Sequence, residues 1–205
     1  MNKLKKIIKY NKQMMLFISI ICLSGIIAGS IFTVLLNNSD KNTVMESVKK
    51  FTNNINHDTY NYINSLKNIL LPNTLLTLFI WILGISIIGA IIVVIILFYK
   101  SFILGFTIGS LILTYNLKGL IISFIYVFPP LILNILVFMY LSSYSIKLSI
   151  ILIKSIIGKK NLNFKSFINN YLKVLVISFI IIVVSCLYEI FINPYILKYI
   201  INLLI

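Results

Sequence analysis

Few side chains in this sequence are of the kinds that do chemistry, and their spacing matches no known catalytic or metal-binding set. The single histidine, His57, has no serine, cysteine or acidic partner at a recognisable spacing. An intramembrane protease would need paired Asp, a Ser–His pair or His-Glu-x-x-His within its apolar runs, and the sequence has none of these. Both cysteines, Cys22 and Cys186, lie in apolar runs, which is typical of small buried hydrophobic side chains. We therefore predict that the protein is not an enzyme and uses no metal or cofactor.

Glu189 is the one acidic residue in or near an apolar run, because Asp40, Glu46 and Asp58 lie in a polar segment. An acid within the membrane would suggest a proton relay or a transport site. The position of Glu189 near the end of the last run favours a carboxylate at the membrane interface that reaches water.

The composition is that of an integral membrane protein. Hydrophobic residues make up 60% of the 205 residues, and charged residues only 11%, whereas about a quarter of a soluble domain is charged. The net charge of +14 comes entirely from lysines. Because these lysines are interleaved with apolar runs and not gathered on one soluble module, we expect no nucleic-acid partner; the lipid bilayer is the expected environment.

Five apolar runs have the length of membrane-spanning helices, which need about 20 residues to cross a hydrocarbon core of about 30 Å. The sequence therefore predicts a single all-α membrane domain with about five transmembrane helices. The predicted spans are residues 14–36, 73–98, 101–117, 119–146 and 174–193. Between them we expect an extracytoplasmic segment at 37–72 and a basic cytoplasmic loop at 147–173.

The lysines give the orientation of these spans, since Lys and Arg are enriched in cytoplasmic segments. With five crossings, twelve lysines and no acid lie on one side, and six lysines with all four acids lie on the other. This predicts a cytoplasmic N-terminus and an extracytoplasmic C-terminus. Lys100 is placed in a cytoplasmic turn between the second and third spans.

Two adjacent prolines, Pro129 and Pro130, lie in the fourth predicted span. We expect them to kink the helix and to free carbonyls one turn earlier, which neighbouring helices or hydroxyls must satisfy. Asn134, one turn after the pair, is our candidate partner for a freed carbonyl.

The extracytoplasmic segment contains one amphipathic helical stripe. Its apolar residues Val44, Val48, Phe51 and Ile55 recur at spacings of four, three and four, which indicates one face of a helix. Two interpretations are open. The stripe is a docking site for an outer partner, or it lies on the membrane surface or on the protein's own spans.

Small residues recur at the spacing that lets helices pack closely. Gly25 and Gly29, and likewise Gly105 and Gly109, form Gly-x-x-x-Gly motifs, and Gly84 and Gly89 lie beside further small residues. We expect these glycines to pack the spans against one another; the same spacing would also serve a homo-oligomer interface.

Four stretches of the sequence resemble the stage II sporulation protein M family. They are residues 81–89 (WILGISIIG), 98–109 (FYKSFILGFTIG), 117–124 (LKGLIISF) and 128–130 (FPP). The Gly-Phe-Thr-x-Gly that follows the lysine is the most specific part. The length, the five spans and the outer segment after the first span also match.

The resemblance implies a role in engulfment of the forespore by the mother cell. It implies a non-enzymatic anchor in the mother-cell or septal membrane that holds two peptidoglycan-degrading partners, sporulation proteins D and P. Our leading hypothesis is therefore a membrane scaffold for cell-wall remodelling. The alternative is a membrane permease or a subunit of a transport complex, which the proline-bent fourth span, Asn134 and the short third span would suit.

Overall fold

The computed structural model describes residues 2–57, 59–158 and 164–204, and within them the chain is helical apart from short connections. Three stretches are π-helical, with a wider turn than an α-helix, and they continue directly into α-helices. The elements in chain order are α1 (Asn2–Leu35), α2 (Asn38–Asn56), α3 (Tyr62–Ser65), π1 (Leu66–Leu70), α4 (Leu71–Gly84), α5 (Gly89–Tyr115), α6 (Leu117–Ile122), π2 (Ser123–Val127), α7 (Phe128–Gly158), α8 (Phe164–Leu187), π3 (Tyr188–Ile192) and α9 (Asn193–Leu204).

The predicted all-α class with five spans is confirmed. Five helical stretches in the described residues are long and apolar enough to cross a membrane. They are Gln13–Leu35, Tyr62–Gly84, Gly89–Tyr115, Pro129–Ser155 and Ile168–Leu203. Leu117–Val127 is a shorter apolar helical stretch that leads into the fourth of them.

The boundary between the second and third spans differs from the predicted one. Residues 73–98 and 101–117 were expected to be separate helices with a turn at Lys100, but α5 runs unbroken from Gly89 to Tyr115 through that lysine. The chain turns instead at residues 85–88, between Gly84 and Gly89. A Cβ atom on Gly89 would overlap the carbonyl of Leu83, so only glycine allows so tight a turn. The lysine does not end the helix because its ammonium group has a partner inside the bundle.

Helices also extend into the two segments that were expected to lie outside the membrane. The outer segment at 37–72 ends earlier than predicted, because α3, π1 and α4 form one span from Tyr62. In the stretch predicted as a basic loop, 147–173, the described residues belong to α7 up to Gly158 and to α8 from Phe164. The last span likewise continues past residue 193, through π3 into α9.

The tightest helix contact joins α1 and α5, and glycines make it. A Cβ atom on Gly25 would lie 2.7 Å from the Phe98 carbonyl oxygen and 2.8 Å from Cβ of Ser101. Cβ atoms on Gly29 and Gly105 would overlap backbone atoms of the facing helix. Ser30 Oγ donates a hydrogen bond across this contact to the Gly105 carbonyl, at 3.2 Å. Gly84 has a different neighbourhood, since it lies against Ser145 and Tyr171.

All four prolines of the chain follow a π segment by two or three residues. Pro72 follows π1, Pro129 and Pro130 follow π2, and Pro194 follows π3. A proline lacks an N–H, and its ring clashes with the carbonyl four residues earlier. In each case that carbonyl belongs to the preceding π segment, whose wider turn relieves the clash. Hydrogen bonds that span five residues, such as Leu71 N–H to the Leu66 carbonyl, mark these turns.

A side chain from another helix satisfies a carbonyl that Pro130 leaves unpaired. Asn193 Nδ2 donates to the Tyr126 carbonyl at 2.8 Å, and Ser185 Oγ donates to the Pro130 carbonyl at 3.0 Å. The expectation that Asn134 has this role is wrong, because both polar atoms of its side chain are buried without a hydrogen-bond partner among the described residues. Asn134 lies one turn beyond the prolines, on the wrong side to reach a carbonyl that precedes them.

The α1–α5 contact gives a prediction about stability. Replacing Gly25 with Val should lower the free energy of unfolding by about 1–3 kcal/mol, because the side chain would push the helices apart. Ser24→Val is the matched control, since Ser24 is the adjacent residue and is exposed. Unfolding in mixed detergent micelles measures both variants, and an equal loss in the two would contradict the packing role of Gly25.

The link between Asn193 and π2 gives a second prediction. Asn193→Leu should cost about 1–3 kcal/mol, because it leaves the buried Tyr126 carbonyl without a donor. Asn134→Leu should cost less, since no hydrogen bond of Asn134 is lost. The same unfolding measurement tests both substitutions, and a larger loss in Asn134→Leu would show that the link does not hold the last span to π2.

Candidate functional site

A charged side chain lies in the middle of the helix bundle. Lys100 is on α5, eleven residues after its start at Gly89, and is half-buried. Its Nζ atom donates a hydrogen bond to Asn73 Oδ1 at 2.8 Å and lies 5.8 Å from the centre of the Phe138 ring. Both contacts compensate for the water that the ammonium group loses. Lys100 thus joins α4, α5 and α7.

Asn73 connects this lysine to the last span. Its Nδ2 group donates to the Ile69 carbonyl at 2.9 Å and lies 3.6 Å from Cys186 Sγ. Glu189 follows Cys186 by three residues, which is about one helical turn, on the same span. We call Asn73, Lys100, Cys186 and Glu189 the intramembrane polar cluster.

Glu189 is less accessible than its sequence position indicates. Its side chain is half-buried, and Oε2 is buried without a hydrogen-bond partner among the described residues. The expected interfacial carboxylate that reaches water is therefore wrong for this oxygen. Glu189 is the one acidic residue of the last candidate span and Lys100 a lysine in the middle of the third, and their opposite signs are a sequence signal that the two could interact.

A chain of aromatic rings connects the last span with α2. The rings of Tyr62 and Phe191 stack at 5.7 Å, and Tyr60 meets Tyr62 edge-on at 5.0 Å. Phe51 of α2 continues the chain of rings toward Tyr60 and Tyr126. Burial raises the pKa of the Tyr60 phenol, and the charge of Glu189 raises it further, so Tyr60 is neutral at physiological pH.

The apolar stripe of α2 packs on the protein's own helices. Ile55 is only 3% exposed, and Val48 packs on the same buried cluster as residues of α5 and α9. Between them Thr52 is buried, and its hydroxyl lies 2.6 Å from that of Tyr115. Because Ile55 and Val48 hold α2 on the bundle, they are not available to a partner in this packing. Val44 is half-buried and Phe51 is 37% exposed, so these two lie at the edge of the contact.

The opposite face of α2 is polar and exposed. Residues on this face recur at helical spacing and carry both charge signs. They are Ser39, Thr43, Glu46, Lys50 and Asn53. Such a face offers hydrogen bonds and ion pairs to a protein on the same side of the membrane. The residues predicted for partner docking, Val44, Val48, Phe51 and Ile55, do not belong to this face.

The remaining candidate residues do not form a site. His57 is exposed where α2 ends, and the described residues contain no group of three or more His, Cys, Asp or Glu side chains that could hold a metal ion. Cys22 and Cys186 are buried and unbonded to each other.

Comparison with known proteins adds one clear result. A model of the family described as stage II sporulation protein M matches residues 16–194. This range includes the second, third and fourth candidate spans in full, most of the first and last, α2 and the intramembrane polar cluster. No curated protein and no solved structure matches. Because the match covers most of the sequence, the chain belongs to the stage II sporulation protein M family.

Proposed function

We propose that this protein is a membrane scaffold that holds peptidoglycan-remodelling partners at the forespore septum during engulfment. Its family is one of sporulation, and its five apolar helices make it a multi-pass membrane protein. By resemblance, the partners are sporulation proteins D and P. The observation that carries the proposal is that α2 packs on α5 and α9. This packing fixes the position of a polar surface that lies outside the spans.

The packing of α2 divides its residues between two roles. Val48 and Ile55 fix the helix to α5 and α9, and so determine where its other face lies. Glu46 and Lys50 are on that other face, with Phe51 and Val44 at its edge. The partner contact in this proposal is therefore polar, with an aromatic residue at its margin.

A fixed helix suits a scaffold better than a loose one. Side chains that are already ordered lose less entropy when a partner binds. Acidic and basic residues that alternate on one face also favour one partner over others, because like charges that meet across an interface repel.

The polar face of α2 can be tested by exchanging two charges. Glu46→Lys combined with Lys50→Glu keeps the net charge and changes no buried residue. It should abolish co-purification of proteins D and P from sporulating cells and leave the unfolding free energy within about 0.5 kcal/mol, the size of one helix-surface charge pair. Ile55→Asp should lower both quantities, because a buried carboxylate would release α2 from the bundle.

These two variants separate the parts of the proposal. If the charge exchange retains both partners, the polar face of α2 is not the docking surface. If Ile55→Asp also retains them, α2 has no part in the contact, and the scaffold would have to use another surface.

The intramembrane polar cluster is the observation that favours the alternative, a permease. Ionisable residues inside the membrane often mark transport pathways. In a scaffold, Lys100 and Asn73 have a simpler role, which is to hold α4, α5 and α7 together. The two functions differ in whether Lys100 supports flux.

We expect no proton flux that depends on Lys100. In proteoliposomes that carry a pH-sensitive dye, the wild type and Lys100→Met should give the same slow leak. Lys100→Met should lower the unfolding free energy by about 1.5–3 kcal/mol, the usual worth of a hydrogen bond to a charged group. Flux in the wild type that the variant lacks would favour the permease.

A further inference from the structure

A pocket of about 210 Å³ lies between α7 and α8, away from α2 and its polar face. Its lining combines a cation, an amide, two phenols and one aliphatic side chain. The residues are Tyr144, Lys147, Leu148, Asn170 and Tyr171. A water molecule takes about 30 Å³ in the liquid, so the pocket has room for a group several times larger.

One wall of the pocket is held rigidly. The Tyr171 hydroxyl donates to the Trp81 carbonyl at 2.8 Å, and the Tyr171 and Trp81 rings stack at 5.5 Å. Gly84 is required beside them, because a Cβ atom there would overlap the Tyr171 hydroxyl. A ligand therefore meets a wall that is already in place.

The pocket lies at the level where the chain turns between two spans. Ser149, two residues after Lys147, donates to the Ser86 carbonyl at 2.8 Å, and Ser86 belongs to the tight turn between α4 and α5. A turn between two membrane helices lies at the membrane interface, because unpaired backbone groups are not tolerated in the hydrocarbon. The Lys147 side chain is therefore within reach of lipid headgroups.

The charged side chains of α7 and α8 are all basic. No acidic residue occurs between Asp58 and Glu189 in the sequence, so neither α7 nor α8 carries an acidic side chain. Lys173 lies on α8 and adds to the positive potential. Ile168 and Leu172 of α8 are 41% and 40% exposed, so this part of the helix has apolar side chains that lipid acyl chains can contact.

From this arrangement we propose that the pocket binds the phosphate headgroup of an anionic phospholipid. The Lys147 ammonium group pairs with the phosphate, while the Asn170 amide and the Tyr144 hydroxyl bond to its oxygens or to the headgroup alcohol. Basic pockets between spans are known sites for anionic lipid headgroups. This inference is independent of the scaffold role and would stand if that role failed.

The single tryptophan of the chain is a built-in reporter of this site, because Trp81 stacks on a residue of the pocket wall. The full-length protein in a neutral detergent is titrated with short-chain phosphatidylglycerol, and tryptophan emission is recorded. We expect a saturable change with phosphatidylglycerol and none with phosphatidylcholine. Lys147→Gln should weaken the apparent affinity about fivefold, the effect of one lysine on an anionic lipid surface.

Controls distinguish anionic lipid binding in this pocket from binding to a diffuse basic surface and from binding of free phosphate. Lys154→Gln, an exposed residue of the same helix, should leave the affinity unchanged; an equal loss in both lysine variants would show a diffuse basic surface and overturn the proposal. An equal response to phosphatidylcholine would overturn it as well. Saturation by inorganic phosphate alone, at the same concentration, would assign the pocket to a soluble phosphate and not to a lipid.

A second variant keeps the test valid if Lys147→Gln does not fold. Asn170→Leu changes an exposed residue of the pocket and should also weaken phosphatidylglycerol binding. Circular dichroism and gel filtration verify the fold of each variant. An unchanged affinity in a folded Asn170→Leu would count against the proposed headgroup contact.

Discussion

Backbone carbonyls in the hydrocarbon cannot bind water, and this constraint explains most of the structure's irregular features. A proline that continues a helix removes one N–H and displaces the carbonyl four residues earlier. The chain has four prolines, and each follows a π segment that contains the affected carbonyl. The widened turns let three spans continue past their prolines, and Asn193 supplies the missing donor at Tyr126. The last span is tied to π2 as a result.

The same widened turns help to form the intramembrane polar cluster. Asn73 follows Pro72 directly, and Glu189 belongs to π3. Lys100 lies on the unbroken helix α5 and reaches Asn73 from there. A lysine without such a partner would cost several kcal/mol in the membrane interior. Asn73 therefore serves both requirements. Its side chain donates to the Ile69 carbonyl of π1 and accepts from the Lys100 ammonium group of α5.

The sequence predicts the parts of this fold that depend on composition and on the spacing of apolar residues along a helix. The number of spans follows from apolar run length, and the amphipathic character of α2 follows from helical spacing. The turn at residues 85–88 was missed because a lysine was taken as the end of a span. A lysine within a helix bundle can have a hydrogen-bond partner that no local sequence pattern reveals.

The packing of distant helices also decides which side chain binds each carbonyl freed by a proline. Asn193 and Tyr126, for example, are 67 residues apart. The helical spacing of the apolar stripe is compatible with both of its interpretations, and it does not reveal that Ile55 packs with residues of α5 and α9.

Moving the turn from Lys100 to residues 85–88 changes the evidence for the membrane orientation, but the predicted orientation stays the same. Lys100 leaves the predicted cytoplasmic set of twelve lysines, because it lies in the middle of α5. The number of crossings between the N-terminus and the basic stretch at 147–173 is still four, because the turn has moved and has not disappeared. The lysine bias therefore still predicts a cytoplasmic N-terminus, and it no longer needs a short third span of seventeen residues, since the helix there has 27. Lys100, which does not lie at a span boundary, contacts side chains of the second and fourth spans from the third.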